Sequence, residues 1–204
     1  FGRMQIYVVG ESTGTVWATN TIPNLHVDAD EFQNDLRIGG YEHLRLNNGQ
    51  VGSLFAEAAA LATFNALGYP APQTSYAWVG GTPWQNANLE IPYTVVEVYK
   101  RSFCDAHKSF FGGGCENIWE GAGLDVGGGW QAGFADSCQI SACNQERLDA
   151  FAEVVDASFY TRNFDEATEP FMDWDAFHTF QCLEWLLWVG DDYLHNSNNV
   201  VLTE

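Results

Sequence analysis

The chain has 204 residues, of which 27 are acidic and 8 basic, for a formal charge of −19. That field repels nucleic-acid phosphates and anionic membrane surfaces and argues against a nucleic-acid partner. The apolar share of 46%, with 14 Phe, 8 Trp and 8 Tyr, excludes intrinsic disorder. No apolar run reaches the roughly 18–20 residues of a spanning helix, and the richest one, Cys182 to Val189, is interrupted by Glu184. A nucleotide carried with Mg²⁺ stays admissible, because a few placed cations suffice to hold it.

In chain order, Met4–Val9 and Thr15–Ala18 read as short strands around a turn-forming stretch, and Leu36–Ile38 with His43–Leu46 as a pair around Gly39–Gly40. From Ser53 onward Leu54, Ala58, Leu61 and Ala62 recur at helical spacing. Gly68 suits the residue after the helix end, and Pro70 and Pro72 prevent continuation. Thr74–Val79 and Tyr93–Tyr99 are β-branched and aromatic runs that predict an antiparallel pair. Nine glycines between Gly112 and Gly133 mark a surface excursion without the spacing of a phosphate cradle. A second helix is expected over Gln145–Tyr160, with Leu148, Phe151, Ala152, Val155 and Phe159 on one stripe. A third follows Asp173 or Asp175 as N-cap, carries Phe177, Phe180, Leu183, Leu186 and Leu187 toward the core, and ends near Gly190.

The five cysteines suggest two local bridges, Cys104–Cys115 and Cys138–Cys143, leaving Cys182 as a buried free thiol. Disulfides imply an oxidising compartment and hence export. Zinc held by Cys104, His107 and Cys115 matches no finger spacing. Calcium on the acidic run from Asp165 to Asp175 lacks the loop pattern of a calcium hand, and helix capping accounts for Asp173 and Asp175.

The third helix leads into Gly190-Asp191-Asp192-Tyr193-Leu194-His195-Asn196, followed by the strand-like Val200-Val201-Leu202. A helix, then a polar loop with Asp and, five residues on, Asn, then a strand, is the layout of a kinase catalytic loop. The aspartate must meet the acceptor hydroxyl while the asparagine turns back to the metal, and a short loop between rigid elements holds both.

With its neighbours this stretch resembles the CotH (spore-coat protein H) kinase family. The matching segments are Asp191-x-Tyr193 with His195-Asn196 after an aromatic helix opened by Asp173-Trp174-Asp175-Ala176-Phe177, Ser53-Leu54-Phe55-Ala56-Glu57 running to Gly68-Tyr69-Pro70-Ala71-Pro72, and Val95-Val96-Glu97 running to Lys100-Arg101-Ser102-Phe103. The resemblance spans about residues 36–204. It implies an α+β, atypical protein-kinase-like fold, a small mixed β lobe plus a helical lobe from about Gln145, in a single domain over 1–204 with an insertion at about 104–144.

It further implies a secreted enzyme that transfers phosphate from ATP, with Mg²⁺, to Ser or Thr of an extracellular or coat protein. Asp191 would be catalytic or metal-facing and Asn196 a metal ligand. Glu57 would orient a phosphate-binding cation, and Glu97 would begin the adenine-side hinge. No lysine precedes Lys100, so that cation falls to Arg37 or Arg45. Only eight residues follow Asn196, too few for the second metal aspartate, so the domain is expected to be C-terminally incomplete or inactive. The alternative is a catalytically inactive extracellular binding or structural module on the same scaffold, engaging an assembly partner.

Overall fold

A computed structural model describes residues 5–9, 24–48, 54–80, 90–113, 115–121, 138–139, 143–187 and 200–203. The protein is mixed α+β, with antiparallel sheets and helices. The chain forms two compact units, Phe1–Ala106 and His107–Glu204.

The first unit contains β1 (Gln5–Val9), β2 (Asn24–Asp28), β3 (His43–Asn47), α1 (Leu54–Ala66), β4 (Thr74–Val79), β5 (Ile91–Glu97) and α2 (Arg101–Ala106). Its five strands form one antiparallel sheet in the order β1-β2-β3-β5-β4. Opposed residues of an antiparallel pair share a face, so the register sorts the side chains. Leu25 opposes Leu46 and Val27 opposes Leu44, while Leu46 opposes Val95 and Leu44 opposes Glu97. This face is the core: Leu25, Val27, Leu44, Leu46 and Tyr93 are buried, and Ile38, Tyr41, Val79, Ile91 and Val95 pack against them.

The expected pairing of Leu36–Ile38 with His43–Leu46 is not formed, since β3 pairs with β2 and β5 instead. Asp35, Gly39 and Gly40 all have positive φ, so residues 35–41 cannot extend as a strand. Ile38 and Tyr41 instead close a tight turn, exchanging both backbone hydrogen bonds at 2.8 and 3.1 Å. Positive φ at both central residues, as the hairpin turn demands, is what the two glycines supply. The β4–β5 pair forms as expected, with Thr74 opposite Val96 and Val79 opposite Ile91. Thr15–Ala18 lies outside the described residues.

Helix α1 ends as its sequence indicates. Gly68, at φ 86°, donates to the Asn65 carbonyl at 3.1 Å, and Tyr69 donates to the Phe64 carbonyl at 3.0 Å. That pair of bonds is the Schellman closure. The Asn65 side chain then grips Ala71 through both its amide hydrogen and its carbonyl. Of the expected apolar stripe, Ala58 is buried, Leu54 and Leu61 are partly so, and Ala62 is exposed.

The second unit contains α3 (Lys108–Phe111), β6 (Ile118–Gly121), α4 (Gln145–Ser158), α5 (Phe164–Thr168), α6 (Trp174–Leu187) and β7 (Val200–Thr203), with β6 antiparallel to β7. Asn144 caps α4 by accepting the Arg147 N–H. Leu148, Ala152 and Val155 are buried, whereas Phe159, at the helix end, is exposed. Edge-to-face contacts run from Phe159 to Phe164, Trp174 and Phe177, and the Arg147 guanidinium lies 4.8 Å over the Phe171 ring. Asp173 caps α6 by accepting the Ala176 N–H at 2.9 Å.

Leu186 does not face the core but is 77% exposed. At about 100° per residue, Phe177, Phe180, Leu183, Glu184 and Leu187 fall within one arc of about 120°. All five are buried or half-buried, while Cys182, Trp185 and Leu186 lie outside the arc and are exposed. Cys182 is therefore a free but exposed thiol, not a buried one. Cys138 and Cys143 are bridged, with Cα atoms 5.9 Å apart. Cys104 and Cys115 are also disulfide-bonded, so neither offers a thiolate to zinc. Among the described residues no helix is long and apolar enough to cross a membrane.

The α6 arc makes a contrast that urea denaturation measures. Leu183→Ala is expected to cost about 2–5 kcal/mol, and Leu186→Ala to stay within about 0.5 kcal/mol. Equal costs would mean that the helix is turned differently.

Candidate functional site

The two faces of the sheet in the first unit carry different chemistry. On the face opposite the core, β3 presents His43, Arg45 and Asn47, and β5 presents Thr94 and Val96. Helix α1 lies on this face: the Thr94 hydroxyl donates to the Leu54 carbonyl at 2.7 Å, and the Phe55 ring meets Tyr76 edge-on. The Asn47 amide donates to Glu57 Oε1 at 2.7 Å. Glu57 is thus turned toward the third strand, and its neutral partner there is Asn47.

Arg45 is opposite His26 on β2 and Val96 on β5. His26 is buried, and its pKa is lowered to about 4, first by burial and then by His43, Arg45 and Lys100. Its imidazole is therefore neutral at neutral pH. Arg45 is thus on the face that carries Glu57. The His26 and His43 rings meet edge to face at 5.7 Å. Beyond them, Asp28 is opposite His43 across the β2–β3 pair.

Glu97 and Arg37 lie on the other side. They line a cavity of about 340 Å³ with Gly39, Gly40, Tyr41, Glu42 and residues of α2. The Arg37 guanidinium is paired with Glu42 at 2.5 Å and reaches the Gly40 carbonyl at 3.4 Å. Glu97 is 3% exposed. Burial raises its pKa, partly offset by the Gln73 N–H that it accepts at 3.1 Å. The nearby Tyr41 phenol is raised as well, by burial first and Glu97 second. A buried carboxyl with a raised pKa on the wall of a cavity is a group that functional sites commonly use.

The structure thus places Arg37 and Glu97 on one cavity, and Arg45 on the opposite face of the sheet, where Glu57 meets Asn47. Asp191 and Asn196 lie outside the described residues. Sequence reading passed over Asn47, His26, Lys100, and the group Asp28, Asp30 and His43. The alternation of Leu25 with His26 and Val27 with Asp28 was the available signal for a strand with one polar face. No family model, no curated protein and no solved structure matches the chain.

Glu97 supplies a pH prediction. Its folded pKa exceeds the unfolded value, so the native state binds more protons, and its contribution to stability is lost as pH rises through the folded pKa. Glutamine keeps the shape and cannot ionise. Urea midpoints of Glu97→Gln relative to the parent are expected to move in the variant's favour between pH 4 and pH 8. A difference that is flat with pH would show that folding does not raise the pKa of this carboxyl.

Proposed function

We propose that this chain is the nucleotide-handling part of a secreted, atypical kinase-like protein of the CotH type. The observation that carries the reading is Glu57 of α1 directed onto β3, on the sheet face that also presents Arg45. Protein kinases pair a helix glutamate with a cation of the third strand at the phosphates. Here three strands, a helix and two further strands follow in that sequence, with β5 inserted between β3 and β4. After Glu97 the chain leaves β5 and enters α2 at Arg101, a connection that fits a hinge, and the disulfides fit export.

In this reading Arg45 holds phosphate oxygens. Of the two candidate arginines it has the better claim, because it shares the sheet face of Glu57, whereas Arg37 lies with Glu42 on the opposite face. Asn196 and Asp191 would hold Mg²⁺, which supplies charge neutralisation at the phosphates when bound. The acceptor hydroxyl of a Ser or Thr attacks the γ-phosphorus, the bond to the leaving ADP oxygen breaks, and Asp191 takes the hydroxyl proton.

A second reading, an extracellular binding module that keeps the scaffold without the chemistry, has its own observation. The strand residue that meets Glu57 is Asn47, which carries no charge to offer a phosphate.

Titration calorimetry with ATP and Mg²⁺ separates the two. The kinase-like reading expects saturable heat, weakened about tenfold or more by Arg45→Ala, since charge-assisted bonds to phosphate contribute about 1.5–3 kcal/mol each. No heat at millimolar nucleotide would leave the module reading in place.

A further inference from the structure

A second group of polar side chains sits at the far end of the same sheet face and has no part in the nucleotide reading. Asp28 ends β2, His43 begins β3 directly opposite it, and Asp30 lies in the bend two residues past β2. One donor atom from each lies within 4.8 Å of the donors of the other two. Among the described residues this is the one such group of His, Cys, Asp and Glu.

The distances bear on what the group does. Asp28 Oδ2 is 3.8 Å from His43 Nδ1, and Asp30 Oδ1 is 3.7 Å from His43 Nε2. Both exceed hydrogen-bonding reach. An ion bonds only one nitrogen of an imidazole, so just one of these two distances is a separation between ligands of one ion, for which metal–ligand bonds near 2.1 Å give about 3.4 Å. The other carboxylate reaches the same ion from within the 4.8 Å spread of the three donors. Asp28 is pre-set for this, because its Oδ1 accepts the Glu31 N–H at 3.1 Å and leaves Oδ2 directed at the imidazole. The His26 ring, edge-on to His43, limits rotation of that imidazole.

The side chains of Asp28, His43 and Asp30 are 14%, 22% and 33% exposed. The group is thus rigid on the sheet side and open on the solvent side, where water or a further ligand can complete the coordination.

We infer that Asp28, Asp30 and His43 form a binding site for a divalent late first-row ion of the Zn²⁺ type. Two carboxylates balance the charge of such an ion, and an imidazole donor favours it over Mg²⁺ or Ca²⁺, which take oxygen ligands. The acidity of the whole chain, −19, raises the local cation concentration. This site stands whether or not the chain binds nucleotide, since it shares no residue with Glu57, Arg45, Asp191 or Asn196.

The test is calorimetric titration of the full chain with ZnCl₂, in a Cys182→Ser background so that the exposed thiol does not compete. The expected result is one strong site per chain, with a dissociation constant at or below about 10 µM. His43→Gln, Asp28→Asn and Asp30→Asn are each expected to weaken it about tenfold or more. Asp30→Asn lies beyond the strand and leaves the β2–β3 pairing alone, so it keeps the test decisive if a strand variant fails to fold. A visible absorption band of the Co²⁺-loaded chain should change in His43→Gln, which reports the nitrogen donor directly. Absence of a stoichiometric site in the parent, or variants that all bind within tenfold of it, would overturn the assignment. It would leave His43 as an imidazole between two carboxylates with a purely structural role.

Discussion

The alternation of Leu44 and Leu46 with His43, Arg45 and Asn47 along β3 is the constraint on which the first unit depends. With β2 on one side and β5 on the other, β3 cannot slip by one residue without moving both leucines out of the core and driving Arg45 into it. Burying an unpaired cation costs far more than the strand gains from its hydrogen bonds. The register is therefore set, and with it every cross-strand pair on the polar face. Asn47 reaches Glu57, Arg45 stands beside His26, and His43 meets Asp28 because the leucines between them are buried.

Around that strand the chain uses short, local devices. Two glycines turn residues 38–41 back over the core face, so Tyr41 packs there and Arg37 can pair with Glu42. Gly68 closes α1 and Asn65 fastens the chain beyond it, which directs the polypeptide into β4. Glu97 is fixed at the end of β5 by a reciprocal exchange with Gln73, backbone to backbone at 3.0 Å and backbone to carboxyl at 3.1 Å. In the second unit, Asn117 accepts the Asn144 N–H at 2.5 Å, which links the start of β6 to the cap of α4, and the Cys138–Cys143 bridge closes the loop beside it.

The elements legible from sequence are those whose signals are local. The end of α1 was readable at Gly68, the start of α4 near Gln145, the β4–β5 pair from its β-branched run, and the Cys138–Cys143 bridge from its spacing. Strand β2 has only a faint signal, because the alternation in Asn24-Leu25-His26-Val27-Asp28 holds just two strong apolar residues and becomes a strand through partners on both sides. With β2 missed, β3 was matched to the nearest apolar stretch, and the positive φ of Asp35 could not be foreseen. The polar face suffered most. Glu57 was recognised on its helix, but its partner Asn47 and the meeting of Asp28 with His43 are products of register, which one strand alone does not reveal. The exposed side of α6 has a similar cause: Leu186 fits an apolar pattern, yet the arc centred on Leu183 and Glu184 excludes it.

The central claim is that β3 is an interior strand bonded on both edges, with its polar side chains on the face that carries α1. Residue-resolved amide hydrogen exchange tests it most directly. Buried, doubly paired strands open only with large-scale unfolding, whereas loop amides exchange through local fluctuations. The account predicts that amides of His43–Asn47 are protected together with those of β5, and far more strongly than residues 30–37. Protection of residues 43–47 no greater than that of the preceding loop would contradict the register from which both faces of the sheet are derived.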